Sequence, residues 1–377
     1  MARPFLSQVP EIRCWPANAA GFRPDGDFVV YWMTAQRRPF YNFALQRAAE
    51  WARHLSRPLV VLEALRKAYP WACPRFDRFV MQGMQDHREH FGGTSVTYYP
   101  YVETVAGEGS GLLESLAVRA CLVVGDHFPC FFLPRMIAAV APRLPVLLEL
   151  VDSNGLLPLA AAPKVYERAV DFRRFLQKNL KPHLQQFPLA DPLQGVQLAR
   201  VEQPLAEWER WAPATLDGSE GGFARARQVL GRFLEERLPY YAEHRSEPSQ
   251  DYASGLSPYL HFGHISPHQV LDELGKREDW SLDKLNYRPT GSKDGSWGMS
   301  SNAESFLDEL VTWRELGYNM CHFRDDYDRY ESLPQWARNT LEEHASDPRE
   351  HIYSLEEFEE GRTHDRLWNA AQRQLRE

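Results

Sequence analysis

Five short and almost unbroken apolar runs fall within the first 150 or so residues: FVVYW (28–32), PLVVLEA (58–64), SVTYYP (95–100), ACLVVGD (120–126) and PVLLELVD (145–152). A strand with one wet face alternates apolar and polar residues. Runs without that alternation suit strands covered on both sides. The stretches between them carry helical spacing instead. Phe43, Leu45, Ala48 and Trp51 line one face of 40–54, and Phe76, Phe79, Val80 and Met84 do so in 75–91. This alternation predicts an α/β domain built on a doubly wound parallel sheet. GxGxxG does not follow the first run, so no dinucleotide is expected there.

Strand signals nearly vanish after residue 220, and helical patterns cover 223–237, 266–276, 302–323, 334–345 and 354–376. The expected organisation is an α/β domain over 1–155, a proline-rich connector over 156–219 and an all-helical domain over 220–377. Residues 281–301 read as a poorly packed loop by composition. The longest apolar stretch, Leu144 to Val151, is interrupted by Pro145 and Glu149. It is too short to span a bilayer. The first residues, MARPFLSQVPEIRC, lack the apolar core of a secretory signal, so a cytoplasmic monomer without membrane contact is expected. The five cysteines are scattered and form no CxxC, which argues against a disulfide framework and a zinc site. A net charge of −8 excludes a general nucleic-acid coat but leaves room for a local basic groove.

The segment SGLSPYLHFGHISP (254–267) is too broken for a long helix and too polar for a core strand. Ser254, Gly255 and Ser257 bring hydroxyls and backbone N–H groups to one turn, and Pro258 can open the helix that follows. Such a turn can cradle a diphosphate, although many ordinary caps look the same. Its neighbours in sequence are YYAEHRSEP (240–248), FLDELVTWRELGYNMCHF (306–323), DYDRYESLPQWARNTLEEH (326–344) and THDRLWNAAQ (363–372). With VVYWM (29–33) and VDSNGLLPL (151–159), this ordered set resembles the photolyase–cryptochrome family, most closely the class II cyclobutane pyrimidine dimer photolyases.

The resemblance implies an α/β domain joined to a helical FAD-binding domain, and light-driven repair of pyrimidine dimers in DNA by an electron from reduced FAD. It places Tyr241 against the flavin and Arg245 on a DNA phosphate. Ser254, Gly255, Leu256 and Ser257 would wrap the cofactor's phosphates and ribityl chain. Glu309 and Trp313 would contact the extruded dimer, Arg314 would face the flavin, and Trp368 would relay electrons to it. Read from the residues alone, Trp313 and Trp368 also suit a helix core, and Arg314 an ion pair with Glu315 or Asp308. Gly125, Asp126 and His127 end the fourth run where open α/β sheets bind ligands, yet a helix cap is an equal reading. An antenna chromophore is left unassigned.

The chain ends at Glu377 directly after WNAAQRQLRE. The family's Asn- and Asp-rich flavin motif, its flavin-proximal tryptophan and a further aromatic wall of the substrate pocket do not occur. The expectation is a C-terminally truncated helical domain whose FAD binding and activity are compromised. A cryptochrome-like photosensor and a flavin-free nucleic-acid-binding remnant are the alternatives.

Overall fold

The computed structural model describes residues 5–67, 69–202, 220–286 and 288–376. These form two compact units, Met1–Asp325 and Asp326–Glu377. Residues 203–219 of the expected connector lie outside the described residues.

The first unit is built on six strands: β1 (Cys14–Pro16), β2 (Phe28–Met33), β3 (Leu59–Leu65), β4 (Thr97–Val102), β5 (Ala120–His127) and β6 (Leu148–Asp152). Their order is β1-β6-β5-β2-β3-β4, parallel throughout except for the antiparallel β1–β6 pair. The strands β2 and β6 are buried at every position, which is why their sequences do not alternate. The edge strand β4, TYYPYV, is only partly buried, and β1 is three residues long. Each edge carries a proline, Pro100 or Pro16, which removes a donor that could recruit another strand.

The helices α1 (Phe43–Leu55), α2 (Pro74–Gly92), α3 (Leu112–Arg119) and α4 (Leu133–Val140) fill the crossovers. Phe43, Leu45, Ala48 and Trp51 of α1 pack on one sheet face with Val29, Tyr31 and Val61. Leu113, Leu116, Ile137 and Val140 of α3 and α4 cover the other with Val30, Val60 and Val123. The sheet is doubly wound, as expected. Its winding reverses beside β2, which lies between β3 and β5.

Among the described residues no strand follows Asp152, and helices carry the rest. Their core joins Phe233, Tyr241, Leu256, Val270, Leu274, Phe306 and Leu310. Three expected helices are not continuous. The 302–323 pattern is an α-helix Ser301–Leu307, a π-helical segment Asp308–Trp313 and a second α-helix Arg314–Phe323. The 223–237 pattern turns from α-helix to a π-helical segment at Phe233–Arg237. In the second unit, the 354–376 pattern divides into Leu355–Glu359 and Arg366–Arg376, with Gly361 at φ +64° just past the first piece. Among the described residues no helix is long and apolar enough to cross a membrane.

Most described residues of the loop at 281–301 are exposed, as expected of a loosely packed segment, but its backbone from 291 to 299 is tied down. The buried Glu304 carboxylate accepts hydrogen bonds from the backbone N–H groups of Gly295, Ser296, Trp297, Gly298 and Met299. Gln177 ties Gly291, Ser292 and Ser296, and Trp280 donates to the Trp297 carbonyl. Composition marks a loop but not the one carboxylate around which it winds. Replacing Glu304 with alanine leaves five donors without their acceptor, and should cost about 2–4 kcal/mol in a denaturant titration. Hydrogen exchange should quicken first at 291–299, and an unchanged exchange pattern there would contradict this account.

Candidate functional site

Tyr241, Arg245 and Glu309 come together from two segments 64 residues apart. Tyr241 opens the short helix Tyr241–His244, and its ring packs edge-on against Phe233 at 5.5 Å and Phe306 at 5.6 Å. Asn302 fixes this helix by accepting from Ala242 N and donating to the Pro239 carbonyl. Burial pushes the Tyr241 hydroxyl pKa up, against the opposing effect of Arg245. Arg245 lies 5.6 Å from the Tyr241 ring centre and forms an ion pair with Glu309 at 2.5 Å. Partial burial disfavours the guanidinium charge, but the Glu309 hydrogen bond and attraction outweigh it, so its pKa is raised.

Glu309 and Trp313 share the π-helical segment that connects the two α-helical pieces. Trp313 is 51% exposed, so its indole is not the core residue that an amphipathic helix would bury. A π-helical turn gives up α-helical hydrogen bonding and is found mostly at functional sites.

Arg314 points toward the α/β layer. Its guanidinium donates to the Asn154 carbonyl at 2.7 Å and the Tyr318 hydroxyl at 3.1 Å. The two ion-pair partners considered for it have other roles. Asp308 is held by both arms of Arg173, and Glu315 accepts from Leu156 N and Leu157 N at 2.6 and 3.0 Å. Burial pushes the Glu315 carboxyl up to about 7 despite these hydrogen bonds.

The turn at 254–257 is exposed at Gly255 and Ser257, half-buried at Ser254, and anchored by the fully buried Leu256. Gly255 has φ +70°, a conformation that favours glycine. Ser254 Oγ accepts from Leu256 N at 3.3 Å, which makes it part of the turn's own bonding. Arg237, from the other π-helical segment, lies beside this turn, donating to the Ala253 carbonyl and pairing with Asp251. The open glycine backbone beside a guanidinium fits an anionic group. Sequence spacing does not reveal Arg237, because it lies well over a dozen residues before the turn.

Trp368 belongs to the second unit, where it is half-exposed and packs edge-on against Phe358 at 5.4 Å. Its backbone N–H donates to the Asp365 carboxylate, which caps the start of Arg366–Arg376.

A cavity of about 640 Å³ opens at the C-terminal ends of β2, β3 and β5. This is the place where the winding reverses and where such sheets leave room for ligands. Trp32, Leu62, Tyr69, Phe128 and Met136 line it, with Arg37, Arg66, Arg143, Glu103 and Glu114 as charged groups. Two aromatic residues at its wall, Trp71 and Phe131, have left-handed backbones at φ +70° and +62°. Strain of this kind is retained where the surroundings require it. Gly125, Asp126 and His127 are neither part of this wall nor a helix cap, because they are the end of β5 itself. The Asp126 carboxylate accepts from Thr34 N, Ala35 N and Gln36 N, each at 2.9 Å, and from the Tyr31 hydroxyl. It thereby shapes the loop that carries Thr34, Ala35 and Arg37 to the cavity.

No protein-family model matches the chain. It is 31% identical over 370 residues to the deoxyribodipyrimidine photo-lyase of Methanothermobacter thermautotrophicus, covering 95% of this chain and 76% of that one. The protein of the same name from Oryza sativa is 32% identical over 381 residues, covering 95% of this chain and 70% of the relative. A class III photolyase crystal structure from Agrobacterium tumefaciens superposes with a TM-score of 0.60 at 19% identity, over 93% of this chain and 69% of that one.

The Glu315 contact sets a pH dependence. Its carboxyl ionises near 4.5 when unfolded and near 7 when folded. Between those values the native state holds more protons, so the contribution to stability is full below 4.5 and is lost as pH rises through 7. Denaturant midpoints measured from pH 5 to 7.5 should fall with this slope in the wild type and flatten in Glu315→Gln. An equally steep slope in the variant would assign the titration to another group.

Proposed function

Because the chain belongs to the deoxyribodipyrimidine photolyase family, we propose that it is a light-driven DNA-repair protein that uses FAD to split cyclobutane pyrimidine dimers. The class II type is assigned from its motifs. The observation that carries this reading is the Arg245–Glu309 pair, with the exposed Trp313 four residues on in the same π-helical segment as Glu309: a cation, a carboxylate and a stacking surface offered by one stretch of the fold.

Each group has a task in this reading. Trp313 offers its face to an extruded base, where stacking is insensitive to base identity. Glu309 hydrogen-bonds a base edge, and Arg245 neutralises a backbone phosphate. Without DNA the two ions satisfy one another, so a phosphate that draws Arg245 away releases the carboxylate to the lesion. Gly255, Ser257 and Arg237 would hold the cofactor diphosphate, while Leu256 fixes their turn to the core. A reduced FAD held there would supply the electron that opens the cyclobutane ring. Tyr241 positions Arg245, and Arg314 docks its helix on the α/β layer. Trp368 is assigned to electron relay from its motif and half-exposed ring. The cavity above β2 and β5 is assigned a second flat, largely apolar chromophore, with its aromatic wall as the support.

A purified chain should be yellow, and after photoreduction should restore a dimer-containing oligonucleotide under blue light. Trp313→Ala should weaken binding of damaged DNA by about 1–3 kcal/mol, the usual worth of a base–aromatic stack, and leave undamaged DNA nearly unaffected. Glu309→Gln should lower repair yield more than affinity. A yellow chain with no repair would favour the photosensor. A colourless chain that still binds DNA would favour the flavin-free remnant, and equal losses on damaged and undamaged DNA would remove Trp313 from the lesion pocket.

A further inference from the structure

Scattered cysteines need not stay apart in the fold. Cys130 follows β5, within the segment Phe128–Phe132 that forms one wall of the large cavity. Cys321 lies on the helix Arg314–Phe323. The two are 191 residues apart in sequence, yet Cys321 packs directly against the cluster of Ala35, Phe128 and Cys130. Arg314, Tyr318 and Cys321 fall on one helix face at i, i+4 and i+7, the face turned to the α/β layer. Phe128 meets Tyr318 edge-on at 5.4 Å, and Phe131 meets His261 in the same way at 5.4 Å. Side-chain packing therefore holds the cavity wall against two helices, with the two thiols between them. All five cysteines are in the thiol form.

We propose that Cys130 and Cys321 are a thiol–disulfide exchange site, at which a small-molecule disulfide oxidises the pair and joins the cavity wall covalently to the helix that follows Trp313. The Cys321 thiol loses its proton to solvent, and the thiolate attacks one sulfur of the small disulfide. A mixed disulfide forms on Cys321 and a first small thiolate departs. Cys130 then loses its proton and attacks the Cys321 sulfur, expelling the second small thiolate. Two protein thiols are oxidised and one small disulfide is reduced to two thiols, so atoms and electrons balance.

The order of steps follows from the surroundings of each sulfur. Cys130 is 8% exposed, whereas Cys321 is only partly buried and is the one within reach of a reagent. The hydrogen bond to Cys321, together with burial, pushes the Cys130 thiol pKa up, which keeps its proton in place until the mixed disulfide has formed. The crosslink would close a long loop between two layers of one compact unit, and it would fix the Phe128–Phe132 wall and so the shape of the cavity. The site stands independently of the DNA-repair reading, since it needs neither flavin nor DNA.

The test uses the full chain, treated with oxidised glutathione, quenched in acid, denatured and alkylated with iodoacetamide before mass spectrometry. The expected product is two hydrogens lighter than the reduced chain, contains a linked peptide joining Cys130 to Cys321, and leaves Cys14, Cys73 and Cys121 alkylated. A dithiol reductant should reverse it, and the oxidised chain should melt about 5 °C or more above the reduced one. In Cys130→Ser the reaction should halt at a glutathione adduct on Cys321, and in Cys321→Ser position 130 should gain no adduct. A lasting adduct on Cys321 of the wild type, alkylation of both residues, or a crosslink to a different cysteine would each overturn the proposal.

Discussion

The segment from Asp152 to Leu157 has almost no regular structure, yet the rest of the first unit is arranged around it. Its backbone is buried at the end of β6, and buried peptide groups need partners. Four long side chains supply them. Arg13 donates to the carbonyls of Asp152, Gly155 and Leu156, Arg38 to that of Ser153, and Arg314 to that of Asn154, while Glu315 receives the N–H groups of Leu156 and Leu157. These come from the chain's start, the loop after β2 and the helix after Trp313. A side chain at Gly155 would place its first carbon 2.6 Å from the Glu315 carboxyl carbon, so the grip depends on a residue with none. The sheet and the helical layer are thus joined through one knot of polar groups, and the helix that carries Glu309 and Trp313 takes its orientation from it.

What could be read before folding divides along the same physical line. The parallel sheet was legible because burial on both faces writes continuous apolar runs into β2, β3, β5 and β6. The three-residue β1 was not, since two of its side chains are only half-buried and the third is exposed, and so few residues carry no period. Helix positions were legible from spacing, but not their π-helical turns, which depend on packing around Phe233 and Phe306. Within the site, Glu309 and Trp313 could be paired by their interval. The contact of Glu309 with Arg245 could not, nor could the Arg314 bonds to Asn154 and Tyr318 or the approach of Cys130 to Cys321. Apart from the Arg314–Tyr318 bond, which lies within one helix, these contacts join segments far apart in the chain. Asp126 shows the limit most plainly: its place at a strand end suggested a ligand site, whereas its carboxylate binds the protein's own loop.

Two π-helical segments, Phe233–Arg237 and Asp308–Trp313, flank the cluster of Tyr241, Arg245 and Glu309. Phe233 of the first packs at 4.7 Å on Phe306, in the α-helix that leads into the second, so one wide turn leans on the other's neighbour. The widening lets Leu310 and Val311 stay in the core while Trp313 faces water.

A wide turn of this sort also counts residues. An α-helix advances about 100° per residue. The π-helical turn takes up one residue more in nearly the same rotation and rise. Deleting a single residue between 308 and 313 would let the ladder close as ordinary α-helix with the downstream register nearly kept. Arg314, Tyr318 and Cys321 would stay turned to the α/β layer, and Glu315 would stay at Gly155. What would be lost is local: the sharing of Leu310, Val311 and Trp313 between core and water. The extra residue is a structural element of its own, spent on the site and not on the fold around it.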